Sequence, residues 1–165
     1  MLRLTKKADY ALMALKFLAE QPGASAKTPA ERSASAQSAK DIAQAYHIPS
    51  PLLAKILQTL AKDGLLISHA GTNGGYALAR PASTISAFEV IRAIDGPLFI
   101  TSCITIHGSC DLSGHCTIKE PLRKVNDSIK DLLSNITISD LVEPTEGKGK
   151  KVSIAVGDGL VSLSV

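Results

Sequence analysis

All three cysteines of this chain, Cys103, Cys110 and Cys116, fall within one window of 14 residues. The window also contains two glycines and lacks apolar periodicity, which predicts a loop. Cysteines that act as small core residues would be scattered over helices and strands, whereas these three converge on one segment. The pattern therefore indicates a metal or cluster site, or a redox switch.

Three chemistries fit this cysteine pattern. Thiolates are the preferred ligands of iron–sulfur clusters, and loop glycines let the backbone wrap a compact inorganic core. Zinc is the main competitor, with His107 or His115 as a fourth ligand. However, zinc-binding cysteine pairs are usually separated by about two to four residues, and the gaps here hold six and five. A thiol switch without metal is the remaining alternative.

The composition limits the class of protein. A chain of 165 residues with 45% hydrophobic residues suits one domain or two small ones. No signal peptide and no apolar run of the roughly 20 residues that span a bilayer are visible, so we expect a cytoplasmic protein without a membrane partner. Residues 1–83 carry a net charge of +5 and residues 84–165 a net charge of −2, which is compatible with phosphate contact by the first half.

The first half of the chain predicts a winged helix. After the first helix, the stretch 24–37 is expected to be a long solvated loop without core residues. Ser38 and Ser50 are expected to cap the second and third helices, with Pro51 in the first turn of the third. Glycines at 71, 74 and 75 join two short strands. The predicted elements are helices over 5–20, 38–46 and 50–63 and strands over 65–70 and 76–79.

The second half predicts a helix that needs a partner. A short fourth helix is expected to begin at Ser83 or Thr84 and to end at Asp95. After the cysteine loop, a capping box from Thr117 to Glu120 is expected to open a long helix. Its apolar residues are spaced alternately by four and three, a heptad-like seam typical of helix pairing. We favour an intermolecular seam over packing within the subunit; it consists of Ile118, Leu122, Val125, Ile129, Leu132 and Ile136.

These elements predict a mainly α fold with a small β-hairpin wing, a winged helix-turn-helix, and a long C-terminal dimerisation helix. We expect a DNA-binding domain over 1–83, the cysteine loop and dimerisation helix over 84–142, and a polar linker and tail over 143–165. The tail is expected to be disordered or lineage-specific, with a β-hairpin as the alternative.

Together these motifs resemble the IscR/NsrR/RirA family of winged-helix iron–sulfur transcriptional regulators. The resemblance covers residues 1–142, and the arrangement looks most similar to regulators of the Suf cluster-assembly genes. The segments that carry it, besides the cysteines, are Arg3-Leu-Thr, Tyr10-Ala, Asp41-Ile-Ala, Gly74-Gly-Tyr76 and Glu89-Val-Ile-Arg-Ala-Ile-Asp95. It implies a bacterial homodimer that binds double-stranded DNA at a palindromic operator and holds an iron–sulfur cluster in its cysteine loop.

The resemblance also implies a set of cluster ligands. Cys103, Cys110 and Cys116 would supply three, and in the NsrR-type pattern an aspartate from the first helix of the other subunit, here Asp9, supplies the fourth. Lys119 stands where an IscR-type protein has a histidine ligand, so we favour a 4Fe–4S cluster over a 2Fe–2S cluster. The alternatives for the fourth position are His107 and His115, and Asp9 could equally be a solvated surface carboxylate.

The predicted DNA-binding residues come from three places. The exposed start of the third helix, where a recognition helix meets base edges, carries Ser50, Pro51, Ala54 and Lys55. Ala54 replaces a glutamate that is important for site discrimination in IscR-like proteins, so operator preference need not transfer. Thr72 and Asn73 at the tip of the wing could reach the minor groove. The remaining phosphate candidates are Arg3, Lys6, Lys7 and Lys40.

The sequence therefore predicts a transcriptional regulator. We expect it to repress iron–sulfur cluster assembly genes and to sense iron, redox or nitric oxide status. A small iron–sulfur carrier protein is one alternative, and a thiol- or zinc-based regulator without a cluster is another. An enzyme is not expected, because no nucleophile or acid–base pair accompanies the cysteines.

Overall fold

Helix α1 spans Lys6–Ala19 in the computed structural model, which describes residues 4–24, 28, 30–31, 34–71, 74–105, 115–142, 152–156 and 159–163. The Thr5 hydroxyl caps the helix by accepting a hydrogen bond from the Ala8 N–H at 3.2 Å. Helical spacing puts Leu15 and Leu18 on the buried face together with three alanines. The predicted first helix is confirmed to within one residue at each end.

Helix α2 spans Ala39–Ala45 and begins as predicted, because the Ser38 hydroxyl accepts from the Asp41 N–H at 3.1 Å. The expectation of a solvated loop without core residues before α2 is wrong at one described position. Ala24 is 3% exposed and belongs to the core. A small side chain was enough for burial there, so the polar composition around it was misleading.

Helix α3 spans Ser50–Lys62 and follows a tight turn in which His47 adopts a positive φ of 52°. The predicted cap at Ser50 is wrong: Pro49 occupies the N-cap position without a side-chain hydrogen bond, and Ser50 is the first helical residue. The two prolines flank Ser50 and fix the entry into the helix, since proline lacks an N–H and suits the first turn. Gly64, at φ +74°, ends the helix as predicted.

The wing is the antiparallel pair β1, Leu66–His69, and β2, Gly75–Leu78, with Leu66 opposite Leu78. The predicted hairpin is confirmed. Gln37 adds a bridge at its edge, since its N–H donates to the Tyr76 carbonyl at 3.0 Å and its carbonyl accepts from the Tyr76 N–H at 2.8 Å. A Cβ at position 75 would collide with the Gln37 carbonyl oxygen. Glycine at position 75 therefore allows Gln37, which lies just before α2, to pair closely with the wing.

Helix α4 spans Ala87–Asp95, after a single 3-10 turn over Ala82–Thr84. The predicted start at Ser83 or Thr84 is wrong, because Ser86 and Glu89 form a reciprocal capping box that fixes the start of the helix. The Ser86 hydroxyl accepts from the Glu89 N–H at 3.2 Å, and the Glu89 carboxylate accepts from the Ser86 N–H at 3.0 Å.

Helix α5 spans Lys119–Asn135 and is followed by the short helix α6, Ile138–Val142. The predicted capping box at Thr117 is wrong, since Ile118 is the N-cap residue and no side chain caps the helix. Pro121 lies in the first turn as expected. Backbone hydrogen bonds from Ala87 N–H to Ile136 O at 2.8 Å and from Ile138 N–H to Ile85 O at 2.9 Å join the end of α5 to the start of α4.

One hydrophobic cluster joins helices α1, α2, α3, α4 and α6 and the wing. Helices α1 and α3 contribute six of its large aliphatic side chains, and the wing adds Leu66 and Leu78. Ile85, Val90 and Ile138 belong to the same cluster. Helices α4 and α6 therefore pack on the core of the winged helix.

The tail contains strands β3, Val152–Val156, and β4, Gly159–Leu163, which pair antiparallel with Val156 opposite Gly159. This is the hairpin that the sequence allowed as an alternative. In the described part of the chain, no helix combines the length and the apolar character needed to cross a bilayer.

Candidate nucleic-acid interface and cysteine site

Cys103 lies in a short helical turn, Ser102–Ile104, that contacts α5. Its thiol is free and half-buried, and the sulfur lies 3.3 Å from the Thr101 hydroxyl oxygen. Two residues just before this turn contact α5: the Ile100 N–H donates to the Asn126 carboxamide oxygen at 3.1 Å, and the Lys130 ammonium lies 5.5 Å from the centre of the Phe99 ring. Helix α5 is therefore the support for the segment that carries Cys103.

Cys116 is also free and half-buried, and it lies three residues before the first residue of α5. His115 beside it is exposed. Cys110 and His107 lie outside the described residues. Among the residues that are described, no three histidine, cysteine or acidic side chains come close enough together to hold a metal ion. The turn that carries Cys103 thus contacts α5, and Cys116 is connected to α5 by the chain itself.

Asp9, the predicted fourth ligand, is exposed in the first turn of α1. Residue 5, one turn earlier, connects this end of α1 to the end of α4, because the Thr5 hydroxyl donates to the Asp95 carboxylate at 2.6 Å. Asp95 in turn lies eight residues before Cys103. Asp9 is thus exposed in the single chain, and its helix is joined through Thr5 to the end of α4.

The predicted recognition residues share the first turns of α3. Ser50, Pro51 and Lys55 are exposed, whereas Ala54 is half-buried. The opposite face of α3 is fixed in the core by four fully or nearly fully buried residues: Leu53, Ile56, Leu57 and Leu60. A helix held rigidly on one face and exposed on the other can present side chains to a DNA groove.

The predicted phosphate contacts are distributed over two further helices. Lys6 and Lys7 are exposed at the start of α1, and Lys40 is exposed in the first turn of α2. Arg3, Thr72 and Asn73, the other predicted contacts, lie outside the described residues.

The heptad-like seam of α5 is partly exposed in the single chain. Ile118 and Val125 are 60% and 48% exposed, two of the large hydrophobic side chains that are most exposed among the described residues. Leu122, Ile129, Leu132 and Ile136 are half-buried. Apolar residues that recur at this spacing on an exposed helix face are typical of a helix-pairing surface.

Sequence reasoning missed two polar contacts that organise the site. Asn126 was passed over within the seam helix; an amide inside an apolar pattern is the signal that could have found it. The pair of Arg80 with Glu89 was also missed, although Ser86-Ala-Phe-Glu89 has the spacing of a capping box. The Arg80 guanidinium donates to the Glu89 carboxylate at 2.6 Å and to the Thr84 carbonyl at 2.8 Å.

The chain matches a family model, Rrf2, described as an iron-dependent transcriptional regulator, over residues 4–144. A Mycobacterium tuberculosis protein described as an HTH-type transcriptional regulator is 36% identical over 142 residues, which are 85% of this chain and 81% of that protein. Protein aau3 of Rhizobium meliloti is 32% identical over 143 residues, 86% of each chain. The family and the mycobacterial relative are transcriptional regulators, which confirms the prediction of a regulator rather than an enzyme.

Solved structures of the same fold include two regulators. CymR, the global cysteine regulator of Bacillus subtilis, matches with a TM-score of 0.64 and 26% identity, over 86% of this chain and 97% of that chain. IscR of T. potens matches with a TM-score of 0.60 and 28% identity, over 86% of each chain. The predicted winged-helix fold is therefore confirmed, and so is the predicted resemblance to IscR-like regulators.

Proposed function

Because the chain belongs to the Rrf2 family of transcriptional regulators, we propose that it is a homodimeric repressor of iron–sulfur cluster assembly genes. It binds a palindromic operator and senses iron, redox or nitric oxide status through an iron–sulfur cluster. The observation that carries the proposal is the position of the two described thiols: Cys103 and Cys116 both adjoin helix α5, which also carries the exposed apolar seam.

The donor set suits such a cluster. Half-buried free thiols on short, glycine-containing chain segments are the ligands that iron–sulfur clusters prefer. Cys103, Cys110 and Cys116 supply three sulfurs, and Asp9 of the other subunit is the proposed fourth ligand, with His107 and His115 as alternatives. When bound, the cluster supplies a redox-active centre that oxygen, nitric oxide or iron shortage can alter. The proposed type is 4Fe–4S rather than 2Fe–2S.

The seam of α5 is the proposed dimer contact. Helix α5 has 17 residues and is therefore about 25 Å long, enough for two such helices to pair along several turns. Two recognition helices bound to successive major grooves of DNA must lie roughly 34 Å apart, which requires a two-fold axis between them. Pairing through α5 supplies that axis, and its exposed residues Ile118 and Val125 would be buried on association.

An introduced charge tests the dimer contact. Val125→Asp should convert the dimer into a monomer on size-exclusion chromatography with light scattering, because an unpaired carboxylate would be buried in the seam. Ser134→Asp places the same charge on an exposed position on the opposite face of α5 and is the matched control. A Val125→Asp protein that stays dimeric would remove α5 from the interface.

DNA contact is proposed for the exposed start of α3 and for nearby lysines. Ser50, Pro51, Ala54 and Lys55 would meet base edges in the major groove, whereas Lys6, Lys7 and Lys40 would bind phosphates. Arg3, Thr72 and Asn73 complete the proposed set. Exposure of the described lysines on α1, α2 and α3 supports this assignment.

The cluster is tested on the full chain purified without oxygen. Iron, acid-labile sulfide and the visible absorption spectrum should reveal a cluster, and alanine at Cys103, Cys110 or Cys116 should remove most of it. Thr117→Ala, an exposed neighbour of Cys116, is the control. Equal iron and sulfide in all three cysteine variants would overturn the cluster, and zinc without sulfide would identify the competing metal site.

Asp9 is tested separately. Asp9→Ala should leave the three thiolates in place but shorten the lifetime of the cluster in air, because one iron would lose its protein ligand. Glu20→Ala, which changes another exposed carboxylate next to α1, should leave that lifetime unchanged. Identical spectra and oxygen lifetimes for Asp9→Ala and wild type would return Asp9 to the role of a surface carboxylate.

A thiol-based regulator without a cluster is the second candidate. The fold likeness to CymR, a global cysteine regulator, favours it, together with the free thiols of Cys103 and Cys116. It predicts a colourless protein after anaerobic purification, with DNA affinity that changes on treatment with a disulfide-forming oxidant. The iron–sulfur proposal predicts instead that DNA affinity follows loading and removal of the cluster. Binding to a palindromic duplex selected from a random pool measures both.

A further inference from the structure

The one buried side chain of helix α5 is an asparagine. Asn126 is 2% exposed, and no other residue of α5, which is described over its whole length, is buried to a comparable degree. A leucine at this position would bury more apolar surface. A buried amide without a hydrogen-bond partner would lose its hydration without any compensating interaction. A polar side chain here is therefore explained by the specific hydrogen bond that it makes.

That hydrogen bond joins α5 to the chain just before the cysteine site. The Asn126 carboxamide oxygen accepts from the Ile100 N–H at 3.1 Å, across 26 residues of sequence. One helical turn further, the Lys130 ammonium lies 5.5 Å from the centre of the Phe99 ring. Two adjacent residues of the incoming segment thus contact two positions on the same face of α5.

Cys103 follows this attachment closely. It lies three residues after Ile100, so extended chain would hold it within about 10 Å of the hydrogen-bonded N–H. The intervening Thr101 hydroxyl lies 3.3 Å from the Cys103 sulfur, and the turn over Ser102–Ile104 contacts α5. The position of the thiol is therefore set by where Ile100 is attached.

We propose that Asn126 is a positioning residue: it fixes the Cys103 segment in one register on α5 and thereby links the cysteine site to the dimer helix. On a helix with 100° per residue, Asn126 lies about 80° from the middle of the seam. A displacement of the Cys103 segment would act on α5 directly beside the surface that pairs the subunits. A regulatory role for this link rests on the proposed function. The hydrogen bond between Asn126 and Ile100 itself exists in the protein without a cluster.

Hydrogen exchange of the cluster-free protein measures the attachment directly. The Ile100 amide should exchange at least about 100-fold more slowly than in an unstructured peptide. In Asn126→Leu, which removes the acceptor and keeps a buried side chain, this protection should fall at least about ten-fold more than that of the α1 amides. If the Ile100 amide of the wild-type protein exchanges as fast as in an unstructured peptide, the proposal is overturned, and no variant is needed to decide it.

Thiol labelling supplies the second measurement. In Asn126→Leu, alkylation of Cys103 by iodoacetamide should accelerate several-fold, while alkylation of Cys116, which is attached to α5 by the chain itself, should not change. Asn126→Asp, which retains an acceptor oxygen, should restore slow labelling of Cys103. Ser128→Ala is the exposed control on the same helix. An unchanged ratio of Cys103 to Cys116 labelling in a folded Asn126→Leu protein would overturn the positioning role.

The same variants separate this inference from the proposed function. If wild type carries a cluster, Asn126→Leu should release it several-fold faster on exposure to a chelator and should reduce the ratio of holo to apo DNA affinity, with Ser128→Ala unchanged. A wild-type protein that carries no cluster contradicts the proposed function, yet the exchange and labelling results still decide whether Asn126 positions Cys103.

Discussion

Replacing Glu89 by alanine should destabilise the junction between the wing and α4. The Glu89 carboxylate accepts from the Ser86 N–H at 3.0 Å, from the Ser86 hydroxyl at 3.1 Å and from the Arg80 guanidinium at 2.6 Å. Arg80 lies two residues after the end of the second strand of the wing, and Ser86 caps α4. All three hydrogen bonds would be lost at once in the variant.

The magnitude follows from the kind of contact and its exposure. Loss of a helix N-terminal capping interaction costs typically about 1 kcal/mol. The ion pair is partly exposed, with 39% of the Arg80 side chain and 31% of the Glu89 side chain accessible, so solvent screening limits its contribution to about 0.5–1 kcal/mol. We therefore expect a loss of about 1.5–2 kcal/mol, which lowers the Tm of a domain of this size by roughly 3–8 °C.

The effect should depend on pH. Burial alone would raise the pKa of Glu89, but the hydrogen bonds from Ser86 and from Arg80 outweigh it, so the pKa lies below its ordinary value of 4.5. A carboxyl with a lowered folded-state pKa stabilises the fold above its unfolded-state pKa, and this contribution disappears as the pH falls through the folded-state value. The Tm difference between wild type and Glu89→Ala should be full at neutral pH and should shrink below 4.5.

Circular dichroism melts from neutral to acidic pH measure this difference. Glu120→Ala is the matched control, because the pair of Glu120 with Arg123 is 66% and 51% exposed at 3.3 Å and should contribute at most about 0.5 kcal/mol. A neutral-pH Tm for Glu89→Ala within about 1 °C of wild type, or a deficit that persists undiminished at acidic pH, would refute this account of the junction.

Three further outcomes are expected. Gly75→Ala should lower the free energy of unfolding by about 1–3 kcal/mol in thermal melts, because the added Cβ would collide with the Gln37 carbonyl. Ser68→Ala, at an exposed position of the wing, is the control. Equal melting temperatures for the two variants would contradict the close approach of Gln37 to the wing. Lys55→Ala should weaken DNA binding by about 1–3 kcal/mol and relax sequence preference if Lys55 contacts a base. An equal loss of affinity for all sequences, with a salt dependence smaller by about one unit, would indicate a contact with phosphate. Unchanged binding would exclude Lys55 from the interface. Truncation after Val142 should leave dimer and operator binding within a few-fold of wild type, and a monomer on size-exclusion chromatography would show that the tail contributes to the dimer.

Much of the fold could be predicted because it depends on local signals. Apolar spacing marked α1 and α3, and the glycine-rich turn marked the wing. Apart from the burial of Ala24, the errors concern the residue at which a helix starts. Thr117 and Ser50 both have the residue type of a cap, yet the N-cap position is one residue away in each case, at Ile118 and Pro49. Capping is a competition among adjacent candidates, and sequence type alone does not decide it.

The cysteines of the site could be predicted from the sequence, but their connection to helix α5 through Ile100 and Asn126 could not. Residue type and spacing identified Cys103 and Cys116, whereas nothing local indicates that Ile100 pairs with Asn126, because that contact joins residues 26 positions apart. The same holds for the hydrogen bond of Thr5 with Asp95, which spans 90 positions. Contacts of this range arise only when the core brings α1, α4 and α5 together.

These two long-range hydrogen bonds give the cysteine segment two attachments with different consequences. Its start is joined through Asp95 to the capping residue of α1, the helix that carries Asp9 and two exposed lysines. Its Cys103 end is joined through Ile100 to α5, beside the seam. The first bond is exposed, whereas the second is partly buried and its acceptor residue, Asn126, is 2% exposed. We therefore expect the second bond to open less often than the first. If the chain is the cluster-sensing dimer proposed above, a change at the thiols should move α5 with the Cys103 segment and alter α1 less. The signal would then reach DNA mainly through the relative position of the two subunits. Asp95→Ala should accordingly reduce the holo/apo ratio of DNA affinity less than Asn126→Leu, and the reverse order would place the main path through α1.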